Sequence, residues 1–391
     1  MDTTFKTDTG VALQQQPASS GQASSERAGS ERAGSEQASF KHRRMQHSRP
    51  GLLAQARPLV SDLFQHDPKV YWSDFLLSLV LGYGGAHFYL TLPISSPVAW
   101  GGFIVAVIAL YRLGSFTHEI AHFKSHEMRS FRIAWDLLAG IPLLTPSYFY
   151  QSHHDHHTSH HYGTEQDGEY LPLGSGGWRG LMSYFLQVFV QPIVIVLRFL
   201  LAPLTFAHPR VREWTLKHAS SLVIDFHYHR SIPADAPRRI WALMDLACFV
   251  RTALIFVLVF LGFSHWTRLP QLYFLAITIL SLNYVRTLSA HRYMGEGQKM
   301  SHEAQVLDST VITGIPVLTE FLCPLGTRYH ALHHLFPRLP YHNLAKAHRR
   351  LMANLPPDSV YRDTVYPSWL AVVREFSSNF RASASLRVTA D

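Results

Sequence analysis

Three clusters of histidine, separated by long apolar stretches, restrict how this chain can fold. They are His118-Glu-Ile-Ala-His122, His153-His-Asp-His156-His157 and His330-Ala-Leu-His333-His334. Imidazole is a common ligand for iron, zinc, copper and nickel. On a helix, residues i and i+4 share a face and i+3 lies beside them, so each cluster can present several rings together. One tetrahedral zinc uses at most four protein ligands. The surplus predicts two metal ions bound side by side at a membrane surface, and a fold that brings all three clusters to one place.

The apolar stretches are residues 72–113, 131–147, 181–206 and 239–290. Four segments read as spans, at about 74–92, 97–114, 240–263 and 270–289, each long enough for a hydrocarbon core of ~30 Å. Lys41, Arg43, Arg44, Arg49, Arg57 and Lys69 precede the first pair, whereas the loop near Pro93–Pro97 has no Lys or Arg. Arg210, Arg212, Lys217, Arg230, Arg238 and Arg239 precede the second pair. The positive-inside rule places both basic segments in the cytoplasm, and the three clusters with them. Clusters that share a site must be separated by even numbers of crossings. Residues 131–147, with Gly140, Pro142 and Pro146, therefore read as re-entrant or interfacial. By the same logic 181–206, interrupted by Gln187, Gln191, Pro192, Arg198 and Pro203, reads as an interfacial hairpin.

Composition narrows the class. Charged residues make up 16% of the 391, below the ~25% of soluble domains. The net charge of +8 is scattered over loops, which fits anionic lipid better than nucleic acid, for which a basic patch on a recognisable module is expected. Cys248 and Cys323 lie in apolar stretches and form no C-x-x-C pair, so neither a disulfide framework nor a fused rubredoxin is expected. Residues 1–45 read as a disordered tail. They repeat Ser-Glu-Arg-Ala-Gly at 25–29 and 30–34, too polar to offset the entropy of ordering. They also lack the apolar core of a signal peptide.

Alternatives remain at this level. Isolated histidines such as His87, His229 and His265 read as packing or interfacial residues. His157, His160 and His161 repeat the H-x-x-H-H spacing of His153, His156 and His157, so the second cluster has two registers; helical geometry favours 153/156/157. The first cluster alone matches H-E-x-x-H, the zinc-protease helix in which Glu is the general base, but that reading leaves the other two clusters unused.

The three clusters, with the runs Pro324-Leu-Gly-Thr-Arg-Tyr-His330, His334-Leu-Phe-Pro337 and Leu339-Pro-Tyr-His-Asn-Leu344, resemble the histidine boxes of the membrane fatty acid desaturase family over about residues 70–365. The resemblance implies an all-α integral membrane protein of about four spans, with a cytoplasmic helical cap holding two non-haem irons. It implies a desaturase domain over 46–366, followed by a tail at 367–391. It also implies a ninth ligand after the last span, His291, beside His118, His122, His153, His156, His157, His330, His333 and His334. Carboxylates are expected to orient the rings; Asp155, Asp167, Glu169, Asp308 and Glu119 are candidates, although isolated acidic residues are usually solvated.

The implied activity is O₂-dependent desaturation of a lipid acyl chain. Its electrons would come from a separate ferredoxin, rubredoxin or cytochrome. A hydroxylase, ketolase, epoxidase or acetylenase on the same scaffold is the nearest alternative, since fold does not decide outcome. An intramembrane zinc protease or a His-rich metal transporter is more remote. A transporter would place its ligands near mid-membrane rather than at helix ends.

Overall fold

The computed structural model describes residues 51–388, apart from 172, 174–176 and 296. The low-complexity segment 1–45 lies outside the described residues. In chain order the helices are α1 (Leu52–Val60), α2 (Pro68–Thr91), α3 (Pro97–His122), α4 (Arg129–Trp135), α5 (His153–His156), α6 (Gly177–Leu200), α7 (Ala202–Thr205) and α8 (Pro209–His218). They continue with α9 (Arg238–Phe260), α10 (Arg268–Leu288), α11 (His302–Asp308), α12 (Pro316–Leu322), α13 (His330–Leu335), α14 (Tyr341–Asn354) and α15 (Trp369–Val388). Among the described residues strand is confined to Val311–Ile312, paired in parallel with Val365–Tyr366.

α2 and α3 form an antiparallel hairpin. Each begins with proline at its first position, where the missing N–H costs nothing. Their backbones touch where Gly85 faces Gly102. A Cβ on Gly85 would lie 2.6 Å from the Gly102 carbonyl oxygen, and one on Gly102 2.7 Å from that of Gly85. The hairpin continues into an aromatic knot in which Phe131 sits 5.5 Å from Tyr71, 5.4 Å from Phe75 and 5.5 Å from Phe116. That knot fixes the last turns of α3, where the first histidine cluster lies.

Among the described residues, three helices are long and apolar enough to cross a membrane: α3, α6 and α9. α2 and α10, expected as the first and last spans, are helices of 24 and 21 residues but fall short of that apolarity. In place of the hairpin expected at 181–206, one continuous helix runs to Leu200 with Pro192 in its interior, followed by the short α7. The polar residues that looked like interruptions have partners in distant segments. Tyr284 donates to Gln187 Oε1 at 3.0 Å, and Arg198 donates to Asp245 Oδ2 at 2.9 Å. Met128–Thr145 forms no long helix. α4 runs into a π turn, Asp136–Gly140, and Asp136 accepts from both the backbone and the hydroxyl of Ser147, each at 2.8 Å, to reverse the chain. Residues 369–388, read as tail from the sequence, form α15, which buries Val372, Phe376 and Phe380.

Candidate metal centre

Eight histidines converge as two groups of four. His118, His122, His153 and His333 form one; His156, His291, His330 and His334 form the other. Within each group one nitrogen of every ring lies within 4.8 Å of the others. His157 lies between them, its ring centroid 4.8 Å from that of His122 and 4.4 Å from that of His334.

The helical spacings explain the split. On α13, His330 and His334 are one turn apart and point into the second group; His333 is rotated away from them and reaches the first. α5 behaves alike, sending His153 to the first group and His156 to the second. The last turn of α3 supplies His118 and His122 to the first group alone. The second group would then hold three rings without His291. That residue follows α10 in a short extended stretch, held by an antiparallel bridge to Ser309 and by the Arg292 N–H donating to the Asp308 carbonyl at 2.6 Å. His160 is exposed, and His161 turns outward to Asp155, its Nδ1 3.0 Å from Oδ1. The geometry therefore gathers 153/156/157 rather than 157/160/161.

Three carboxylates set the rings. His153 Nδ1–H donates to Glu169 at 2.9 Å, and His156 Nδ1–H to Asp167 at 2.9 Å. His291 Nδ1–H donates to the Tyr162 hydroxyl at 2.9 Å, which donates in turn to Asp308 at 2.6 Å. A proton fixed on Nδ1 leaves Nε2 as a bare lone pair facing the cluster, as metal-binding histidines require. Asp167 is itself held by the backbone N–H groups of Gly163 and Glu169, each at 3.0 Å. Tyr150 donates to Glu169 at 2.7 Å. Asp155, by contrast, serves His161 and Tyr228. Glu119 points away from the histidines: it accepts from the Tyr71 hydroxyl and from the Tyr341 N–H. It is a strut between α2, α3 and α14, not the base of an H-E-x-x-H site.

Proton arithmetic shows that these rings suit cations. Two pairs of Nε2 atoms meet in the second group, His330 with His291 at 3.0 Å and His334 with His330 at 3.2 Å. If His330 donates from Nε2 to His291, it has no lone pair there for His334. Hydrogen bonding cannot satisfy all three, whereas one cation can. In the first group the Nε2 atoms of His118 and His122 are buried and have no partner, a costly arrangement unless an ion completes it. Burial, aided by neighbouring rings, pushes His153, His157, His330, His333 and His334 well below the usual histidine pKa. They are neutral at pH 7, the form that ligates. For His156 burial acts in the same direction, but Asp167, joined by Glu169 and Asp308, outweighs it and raises the pKa.

The protein is helical, with apolar helices of membrane-spanning length and two all-imidazole clusters at helix ends that could each hold a metal ion. Residues 94–366 match the fatty acid desaturase family. The chain is 37% identical over 321 residues to a ceramide hydroxylase of Caulobacter vibrioides, covering 81% of this chain and 90% of that protein. It is 23% identical over 303 residues to a chloroplastic omega-6 fatty acid desaturase of Glycine max, covering 76% of this chain and 66% of that one. The chain belongs to the fatty acid desaturase family and is an oxidoreductase of lipid metabolism.

Proposed function

We propose that the protein uses O₂ and two histidine-held irons to oxidise an acyl chain of a membrane lipid, and that the product is a hydroxylated lipid of the ceramide class. The observation that carries the metal reading is the pair of histidine tetrads with orphaned, converging Nε2 atoms. One iron would be held by His118, His122, His153 and His333, the other by His156, His291, His330 and His334, with His157 available to either. Bound irons supply the redox chemistry with O₂ that an unactivated C–H bond requires and that no side-chain acid or base provides. The chain's own residues hold nine imidazoles, seven of them buried, with Asp167, Glu169 and the Tyr162–Asp308 pair fixing the ring orientations. α2, α3, α9 and α10 would be the four spans, α6 would lie along the membrane, and the clusters would face the cytoplasm. Electrons would come from a separate ferredoxin, rubredoxin or cytochrome.

Identity to the ceramide hydroxylase supports hydroxylation. The family match and the plant relative support desaturation as the second reading. Mass spectrometry of lipids from cells with and without the gene separates them. Hydroxylation adds one oxygen to a sphingoid-containing lipid; desaturation removes two hydrogens from an acyl chain. Unchanged lipids in cells making metal-loaded protein, supplied with ceramide and a donor, would contradict both.

A further inference from the structure

A chain of buried aromatic rings leaves the second histidine group and heads outward. Tyr162 is fully buried; its ring centroid lies 5.2 Å from that of His156, 5.4 Å from His334 and 5.7 Å from His291. Tyr170 follows at 5.1 Å from Tyr162, and Tyr293 at 5.3 Å from Tyr170. Phe376 lies 6.0 Å from Tyr293, Phe380 6.0 Å from Phe376, and Trp178 5.2 Å from Phe380. Trp178 is 69% exposed. The three tyrosines belong to one cluster with Phe376 and Phe380, so packing alone accounts for their apolar faces. It does not account for the placement of the Tyr162 hydroxyl between a histidine of the centre and a buried carboxylate, 2.9 Å from His291 Nδ1 and 2.6 Å from Asp308 Oδ2. A phenol gives up an electron readily only if its proton has somewhere to go, and Asp308 is the acceptor already in contact.

We propose that Tyr162 is a redox-active tyrosine that discharges the metal centre when O₂ has reacted and no lipid C–H bond is in place. This rests on the iron reading above. In the step, the Tyr162 phenol loses one electron to the O₂-derived oxidant held at the centre, which is reduced by one electron. The phenolic proton passes along the existing hydrogen bond to Asp308. Tyr170 then gives an electron to the neutral Tyr162 radical while Asp308, which hydrogen-bonds both phenols, returns the proton to Tyr162 and takes the one Tyr170 loses. The separate electron-donor protein, reaching the ring chain at Trp178, supplies one electron to the Tyr170 radical, and Asp308 returns its proton. The ring spacing keeps each tyrosine–tyrosine transfer short, and burial shields the radical from solvent quenching.

The test uses full-length, iron-loaded protein in detergent, reduced with dithionite, exposed to O₂ without lipid and freeze-quenched for electron paramagnetic resonance. The expected result is an organic radical whose spectrum narrows in protein made with ring-deuterated tyrosine. It should fall to background in Tyr162→Phe at unchanged iron content. A second variant guards against Tyr162→Phe losing iron because His291 has lost its prop. Tyr170→Phe leaves the His291–Tyr162–Asp308 contacts intact, and the radical should then decay more slowly because its next electron source is gone. Protein that carries iron and consumes O₂ yet forms no tyrosine radical would overturn the relay and leave the iron reading standing. An undiminished radical in iron-replete Tyr162→Phe, or an unchanged decay in Tyr170→Phe, would overturn it too. Protein that binds no iron would instead remove the reading on which the relay rests.

Discussion

At the scale of single residues, the two tetrads make different demands on the nine histidines. His118→Ala or His333→Ala should empty the first position and leave the second filled, so bound iron falls by half. His291→Ala or His330→Ala should do the converse. Metal analysis of the purified variants checks this, and a loss of both irons in every variant would show that the positions are not separable. The carboxylates act through the rings. Glu169→Gln and Asp167→Asn keep an acceptor near His153 and His156 but remove its charge, and should weaken metal affinity about 10–100-fold, measured by competition with a chelator. The histidines were legible in the sequence because helical spacing ties them together. The carboxylates were not: Glu169 lies 16 residues from His153 and Asp167 11 from His156, and no spacing rule joins a loop residue to a ring it meets only through the turns at 158–167. His291 was marked only by resemblance, since nothing adjacent repeats a ligand pattern; the structure places it beside the rings of His156, His330 and His334.

At the scale of elements, the centre depends on α3 being held at its far end. Gly102→Leu would drive a side chain into the Gly85 backbone, which has no free rotamer to yield. The expected cost is about 1–3 kcal/mol, seen as a lower unfolding temperature of the metal-loaded protein; an unchanged temperature would show that the hairpin separates easily. α6 shows why elements were harder to read than residues. Gln187, Gln191 and Arg198 broke the apolar pattern, and a hairpin was the reasonable expectation. Their partners, Tyr284 and Asp245, are 97, 93 and 47 residues away. Tertiary satisfaction of a polar residue cannot be seen in a local window. Residues 131–147 were easier, since Gly140, Pro142 and Pro146 crowd one short stretch and the helix there gives way to the π turn Asp136–Gly140.

At the scale of the molecule, convergence of the clusters constrains the path through the bilayer. The second and third clusters meet, so an even number of crossings separates them; α6, α9 and α10 lie between and cannot all cross. With α9 and α10 as the crossing pair, reporters fused after residues 165, 225 and 345 should be cytoplasmic, and those after 95 and 266 on the outer side. A cytoplasmic reporter at 266 with an outer-side one at 225 would instead pair α6 with α9. Bound metal would also tie the elements together, since α3, α5, α13 and the His291 segment all send histidines to the centre. Removing it with a chelator should lower the unfolding temperature, because ligand bound to the folded state alone stabilises it.

The most direct test of the central claim is the metal content of active protein purified without chelators, with iron and zinc quantified against chain concentration. Eight imidazoles arranged as two tetrads should hold about two irons per chain. A single zinc per active chain, or full activity with only one metal ion bound, would contradict the two-centre account.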